Sequence, residues 1–109
     1  MGKMSRNKGK VGERELAAEL CKLGIRGARR GVQYSGGGES PDVIGLEPYC
    51  IHIECKRVER LDLTAAMAQA INDCGGKTPI VCHRKNRGKW MVTCHLDDFI
   101  RILTQEDLS

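Results

Sequence analysis

Leu16, Leu20 and Leu23 recur at the i, i+4, i+7 spacing of one helical face, and Gly24 follows as a stop. The chain therefore begins its periodic part with an amphipathic helix from about Val11. At about 100° per residue Glu13 falls on the buried side of that helix, between Ala17 and Leu20, while Glu15, Glu19 and Lys22 fall on the other side. Residues 26–34 suit a first strand, and "SGGGES" at 35–40 a glycine-rich turn. Val43 to Leu46 and Tyr49 to Arg57 predict a hairpin with "EP" in its turn. In its second strand Ile51, Ile53 and Cys55 alternate with His52, Glu54 and Lys56, so the two sets face opposite ways. A second helix runs from Asp62, a suitable N-cap, to Cys74, with Leu63, Ala66, Met67, Ala70, Ile71 and Cys74 as its stripe and Gly75 and Gly76 as its end. "PIVCH" at 79–83 and "WMVTC" at 90–94 predict two more strands, and Leu96, Phe99, Ile100 and Leu103 a closing helix. The order αβββαββα predicts an α/β (α+β) fold, a mixed central sheet flanked by helices. One domain over 11–109 is expected, preceded by a flexible basic arm over 1–10.

Charge adds a distribution to this outline. The net charge of +4 is a mild excess, but residues 1–30 hold nine basic residues against three acidic ones, and "RKNRGK" stands alone at 84–89. Two basic segments around a neutral to acidic middle suit a polyanion gripped at its edges, with Lys8, Lys10, Arg29, Arg30, Lys85, Arg87 and Lys89 as the candidate contacts. The six cysteines lack CxxC spacing and fall mostly among apolar residues, as reduced core residues do. No apolar run approaches ~18 residues and no signal-peptide pattern opens the chain, so a cytoplasmic protein with no membrane segment is expected. "GGKT" at 75–78 is no phosphate loop, because position 71 is Ile and the tetrapeptide ends a helix; no nucleotide cofactor is expected.

The candidate chemistry lies in the hairpin. Asp42 follows Pro41 at the entry to one strand, and Glu54 and Lys56 share a face of the other with Cα atoms roughly 7 Å apart. Two converging carboxylates repel each other, and a hard divalent cation such as Mg²⁺ offsets that repulsion while leaving positions open for water and a phosphate oxygen. Lys56 beside the cation could direct the attacking water and stabilise transition-state charge. A glutamate on the buried stripe of a helix needs a partner, which the same cation could supply to Glu13. His52 shares the face of Glu54 and Lys56 and suits either the rim of such a site or plain surface, while Trp90 and Phe99 suit a core or a dimer interface.

"PD" at 41–42 followed by "ECK" at 54–56 resembles the signature of the PD-(D/E)xK nuclease superfamily. "NKGKVGEREL" at 7–16 and "YSGGGESPDVIGL" at 34–46 are similar, within it, to the archaeal and phage Holliday junction resolvases. The resemblance implies a restriction-endonuclease-like core and metal roles for Asp42 and Glu54. It also implies a water- or phosphate-directed role for Lys56, a direct or water-linked metal role for Glu13, a supporting role for Ser35, and a weaker one for Gln69. The expectation is a Mg²⁺-dependent endonuclease, with Mn²⁺ able to substitute, that cuts branched DNA as a homodimer in a bacterial, archaeal or phage-infected cell. A flap or repair nuclease of the same superfamily, or a binder on this fold that does not cleave, are the alternatives.

Overall fold

The computed structural model describes residues 2–31, 41–46 and 49–104, with 2–8 as backbone only. Helix α1 spans Gly2–Lys22 and is followed by strands β1 (Arg29–Arg30), β2 (Val43–Ile44) and β3 (Ile51–Arg57). Helix α2 (Leu63–Asp73), strands β4 (Thr78–Arg84) and β5 (Met91–Thr93), and helix α3 (Leu96–Leu103) complete the αβββαββα order. The backbone is helical from Gly2, through the stretch expected as a basic arm over 1–10. Those residues lack an apolar stripe, and hydrophobic periodicity is blind to a polar helix. Gly9 and Gly12 cost ~1 kcal/mol each in a helix without breaking it, and the first proline is Pro41.

The strands form one mixed sheet in the order β1-β2-β3-β4-β5. β3 and β4 run parallel, joined by the α2 crossover, and the other neighbours are antiparallel. Ile53 stands opposite Ile80 and Glu54 opposite Val81, so β3 and β4 present matched faces. On one face Leu16 and Ala17 of α1 pack with Val43, Ile53, Ile80 and Cys82; on the other Ala66, Met67 and Ala70 of α2 pack with Val81. The polar set of β3 thus lies on the α2 side. At the start of α2 the Ala65 amide donates to Asp62 Oδ1 at 3.0 Å, the cap expected of that aspartate.

Packing departs from the expected stripe of α2 at Ile71 and from a core role for the cysteines at Cys50, both exposed. Leu23 lies beyond the end of α1 and is exposed, as are Leu96, Phe99, Ile100 and Leu103, the stripe of α3. That stripe is not core. All six cysteines are free, and burial pushes the Cys82 thiol up to about 12 and the Cys55 thiol higher still, so both are protonated and unreactive at neutral pH. No described helix is long and apolar enough to cross a membrane.

Candidate active site

Asp42 is pinned by the backbone on both sides. The Gly31 amide donates to its carbonyl and its own amide donates to the Ile53 carbonyl, each at 2.9 Å. A Cβ on Gly31 would stand 2.3 Å from the Pro41 carbonyl oxygen, so only glycine lets the end of β1 approach this closely. Held there, the Asp42 side chain turns along β3, where its Oδ2 accepts from the Cys55 amide at 2.8 Å. It also hydrogen-bonds the side chain of Glu54. Both carboxylates are buried, Asp42 with 7 % of its surface exposed and Glu54 with 2 %.

Burial raises the Asp42 pKa to about 7; the Cys55 amide opposes the rise, and the negative charges of Glu54 and Glu13 add to it. Burial and the neighbouring acids thus favour the protonated form of Asp42 up to about neutral pH. Glu13 reaches the same neighbourhood from α1, where Gly12 permits close approach: a Cβ there would come within 2.9 Å of the Arg57 Cβ. Burial raises the Glu13 pKa too, Arg30 works against that, and Glu54 reinforces it. Arg30 Nε donates to Glu13 Oε1 at 2.9 Å. That bond gives Arg30 a role that its basic character alone did not suggest, since charge pattern had placed it among the polyanion contacts.

On the same face of β3, Lys56 Nζ donates to Gln69 Oε1 at 3.0 Å, so α2 steadies the ammonium. His52 occupies neither the rim nor the surface. It is buried, with 2 % exposure, and its Nε2 lies 2.9 Å from Glu54 Oε1. The sequence signal for this was the alternation in "HIECK", which put His52 and Glu54 on one face, and what it lacked was any sign that the face would be covered by α2 at that level.

The structure thus brings together Glu13, Asp42 and Glu54, and separately Lys56 and Gln69. Ser35, the "SGGGES" turn, the "EP" turn and the side chain of Lys8 lie outside the described residues. Lys10 and Arg29 are exposed, the latter bonded through Nη1 to the Gly27 carbonyl at 3.0 Å. Lys85, Arg87 and Lys89 are exposed on the β4–β5 connection. Because β1 and β5 are opposite edges, Arg29 and this loop flank the sheet from its two sides. Glu15 is not on a free polar face: it forms ion pairs with Arg57 and Arg84, and the Arg84 guanidinium stands 5.6 Å over the Trp90 ring.

Two buried, adjacent carboxyl groups with a third acid beside them are a fitting donor set for a hard dication, which takes oxygen ligands and displaces protons on binding. Glu13, turned to Arg30, would join such an ion through water or on releasing the arginine. His95, Asp97 and Asp98 also gather, with ligand atoms within 4.8 Å of one another. These acids sit in the first turn of α3, where the helix dipole favours negative charge, and Asp98 is neutralised by Arg101 at 3.1 Å. Compared with protein-family models, curated proteins and solved structures, the chain matches none.

Proposed function

We propose that this chain is a metal-dependent endodeoxyribonuclease of the PD-(D/E)xK type that hydrolyses phosphodiester bonds in branched DNA, with four-way junctions as the foremost substrate. The observation that carries the reading is the pair Asp42 and Glu54, both buried and hydrogen-bonded to each other, with Glu13 beside them. Burying two acids side by side is costly, and a cation entering between them offsets that cost. Mg²⁺ fits as that ion, with Mn²⁺ as its substitute, held by Asp42 and Glu54 and linked to Glu13. Bound there, the cation would polarise a phosphate oxygen and acidify a water. Lys56, steadied by Gln69, is the group on this face that would meet the attacking water or the developing phosphoryl charge.

The basic residues at the two sides of the sheet would hold the phosphate backbone, a mode of binding that reads shape rather than sequence. Paired cuts across a junction need two sites at fixed separation, hence a symmetric dimer. The exposed stripe of α3 and the exposed Met91 and Val92 of the edge strand β5 are proposed as its interface. These six apolar side chains are each 47–75 % exposed, the kind of surface that the centre of an interface between copies buries. A second copy also satisfies the open edge of β5 by antiparallel pairing about a two-fold axis.

The test is cleavage of labelled junction, flap and linear DNA with Mg²⁺, Mn²⁺ or EDTA, beside Asp42→Ala. Metal-dependent paired cuts in junctions, absent from the variant, are expected. Cutting of flaps in preference to junctions would move the substrate, and metal-independent binding without cleavage of any substrate would overturn the enzyme.

A further inference from the structure

His52 is a positioning residue of the cation site, we propose: its imidazole orients the Glu54 carboxylate for metal binding. This rests on the reading of Asp42 and Glu54 as metal ligands. The 2.9 Å contact sets an imidazole nitrogen against a carboxyl oxygen that can accept, so the tautomer that satisfies it carries its proton on Nε2 and donates. Both partners are almost completely buried, where a hydrogen bond restricts rotation far more than it does at a surface. The spacing makes the contact a property of the strand: residues i and i+2 of β3 lie on one face, and α2 covers that face.

The consequence is geometric. Glu54 is held from the His52 side at Oε1 and shares a hydrogen bond with Asp42, so its carboxylate has no free rotation left with which to turn away from the site. An unsupported glutamate has three rotatable bonds and would lose that freedom on binding the ion, whereas this one has lost it on folding. Partners of this kind, which touch a ligand and not the metal, typically matter by 10–100-fold in affinity, on the order expected here. His52 Nε2 is committed to Glu54 and is therefore not a ligand itself.

Met and Gln have nearly the same size and shape, and only Gln carries an N–H that can reach Glu54. Mn²⁺ affinity of the metal-free protein, read from the electron paramagnetic resonance signal of free Mn²⁺, is the measurement, with circular dichroism to confirm folding. His52→Gln should stay within about threefold of the wild type and His52→Met should weaken binding by about 10–100-fold. Equal affinity of the two variants, whether both retained or both lost, would overturn the role of the hydrogen bond. If either variant does not fold, the imidazole Nε2–H resonance of the wild type gives the same information: it should shift in Glu54→Gln and shift again on Mg²⁺ titration with the half-saturation of cation binding. A resonance indifferent to both would overturn the proposal. Wild-type protein that binds no Mn²⁺, or binds it unchanged in Glu54→Gln, would instead remove the cation site, and His52's role with it.

Discussion

Asp42 and Glu54 are 7 % and 2 % exposed, whereas Leu96 and Leu103, on the last helix, are 75 % and 61 % exposed. At the β2–β3 corner the chain buries what water would solvate, and at the β5–α3 end it exposes what water would expel. An isolated exposed leucine needs no explanation, but a helix stripe joined in sequence to an apolar edge strand does. On the function proposed above, each inversion has its own counterpart: a cation at the corner, and a second apolar surface at the end. The two can be broken independently, because the corner concerns chemistry and the end concerns assembly.

The corner should give the largest effect. Glu54→Ala is expected to lower cleavage by on the order of 10²–10³-fold or more, since it removes both a ligand and the acceptor of His52. DNA binding should be retained or tightened, because a negative charge leaves the surface that faces phosphate. Folded variant protein that has lost DNA affinity would contradict the ligand assignment. At the other end, Leu96→Glu combined with Leu103→Glu removes two apolar side chains from each copy, four per dimer, and at even half of the ~1.5 kcal/mol of full burial each, dimerisation should weaken by roughly 10²-fold. Light scattering would report the monomer, and junctions would receive single nicks. A double variant that remains a dimer would place the interface elsewhere.

Without metal the corner also imposes a pH dependence. Asp42 titrates at about 7 in the folded chain against an ordinary 3.8, so the native state holds a proton that the unfolded state releases. That contribution to stability is complete below the ordinary value and is lost as the pH climbs through 7, with Glu13 acting in the same direction. The thermal midpoint of metal-free protein should therefore fall by about 5 °C or more between pH 5 and 8 relative to Asp42→Asn. Mg²⁺ should restore the wild type at the higher pH and leave the variant where it was. A variant with the wild-type pH profile would exonerate Asp42 as the source.

The difference between the two ends also marks where the sequence was legible. Alternation placed Ile53 and Glu54 on opposite faces of β3, and the Asp62 cap and paired glycines bounded α2, because these signals are local and have a period. Asp42 beside Glu54 was legible too, since a hairpin brings its arms together. Arg30 at Glu13 and His52 at Glu54 were not, because one contact spans 17 positions between a helix and a strand and the other depends on burial by α2. The stripe of α3 was legible as a helix but its exposure was not: a pattern states which side is apolar and says nothing of what covers it. The helical backbone of the basic segment was not legible for the converse reason, since it has no stripe.

Neither inversion bears on the β4–β5 loop, whose Lys85, Arg87 and Lys89 are charged and exposed as charged residues ordinarily are, and this makes it the finest test of the comparison. If polar burial at the corner supplies chemistry and apolar exposure at the end supplies assembly, this loop supplies only affinity. Replacing the three residues by Gln should reduce DNA binding several-fold at moderate salt and flatten the slope of log K against log salt by up to about 0.9 for each phosphate no longer neutralised. Cleavage at saturating DNA should be unchanged, because none of the three cations is among the groups that act on Asp42 or Glu13. An unchanged salt slope would take the loop out of the DNA path. A fall in the saturated rate would mean that it reaches the reacting phosphate, so that affinity and chemistry are not divided between these regions.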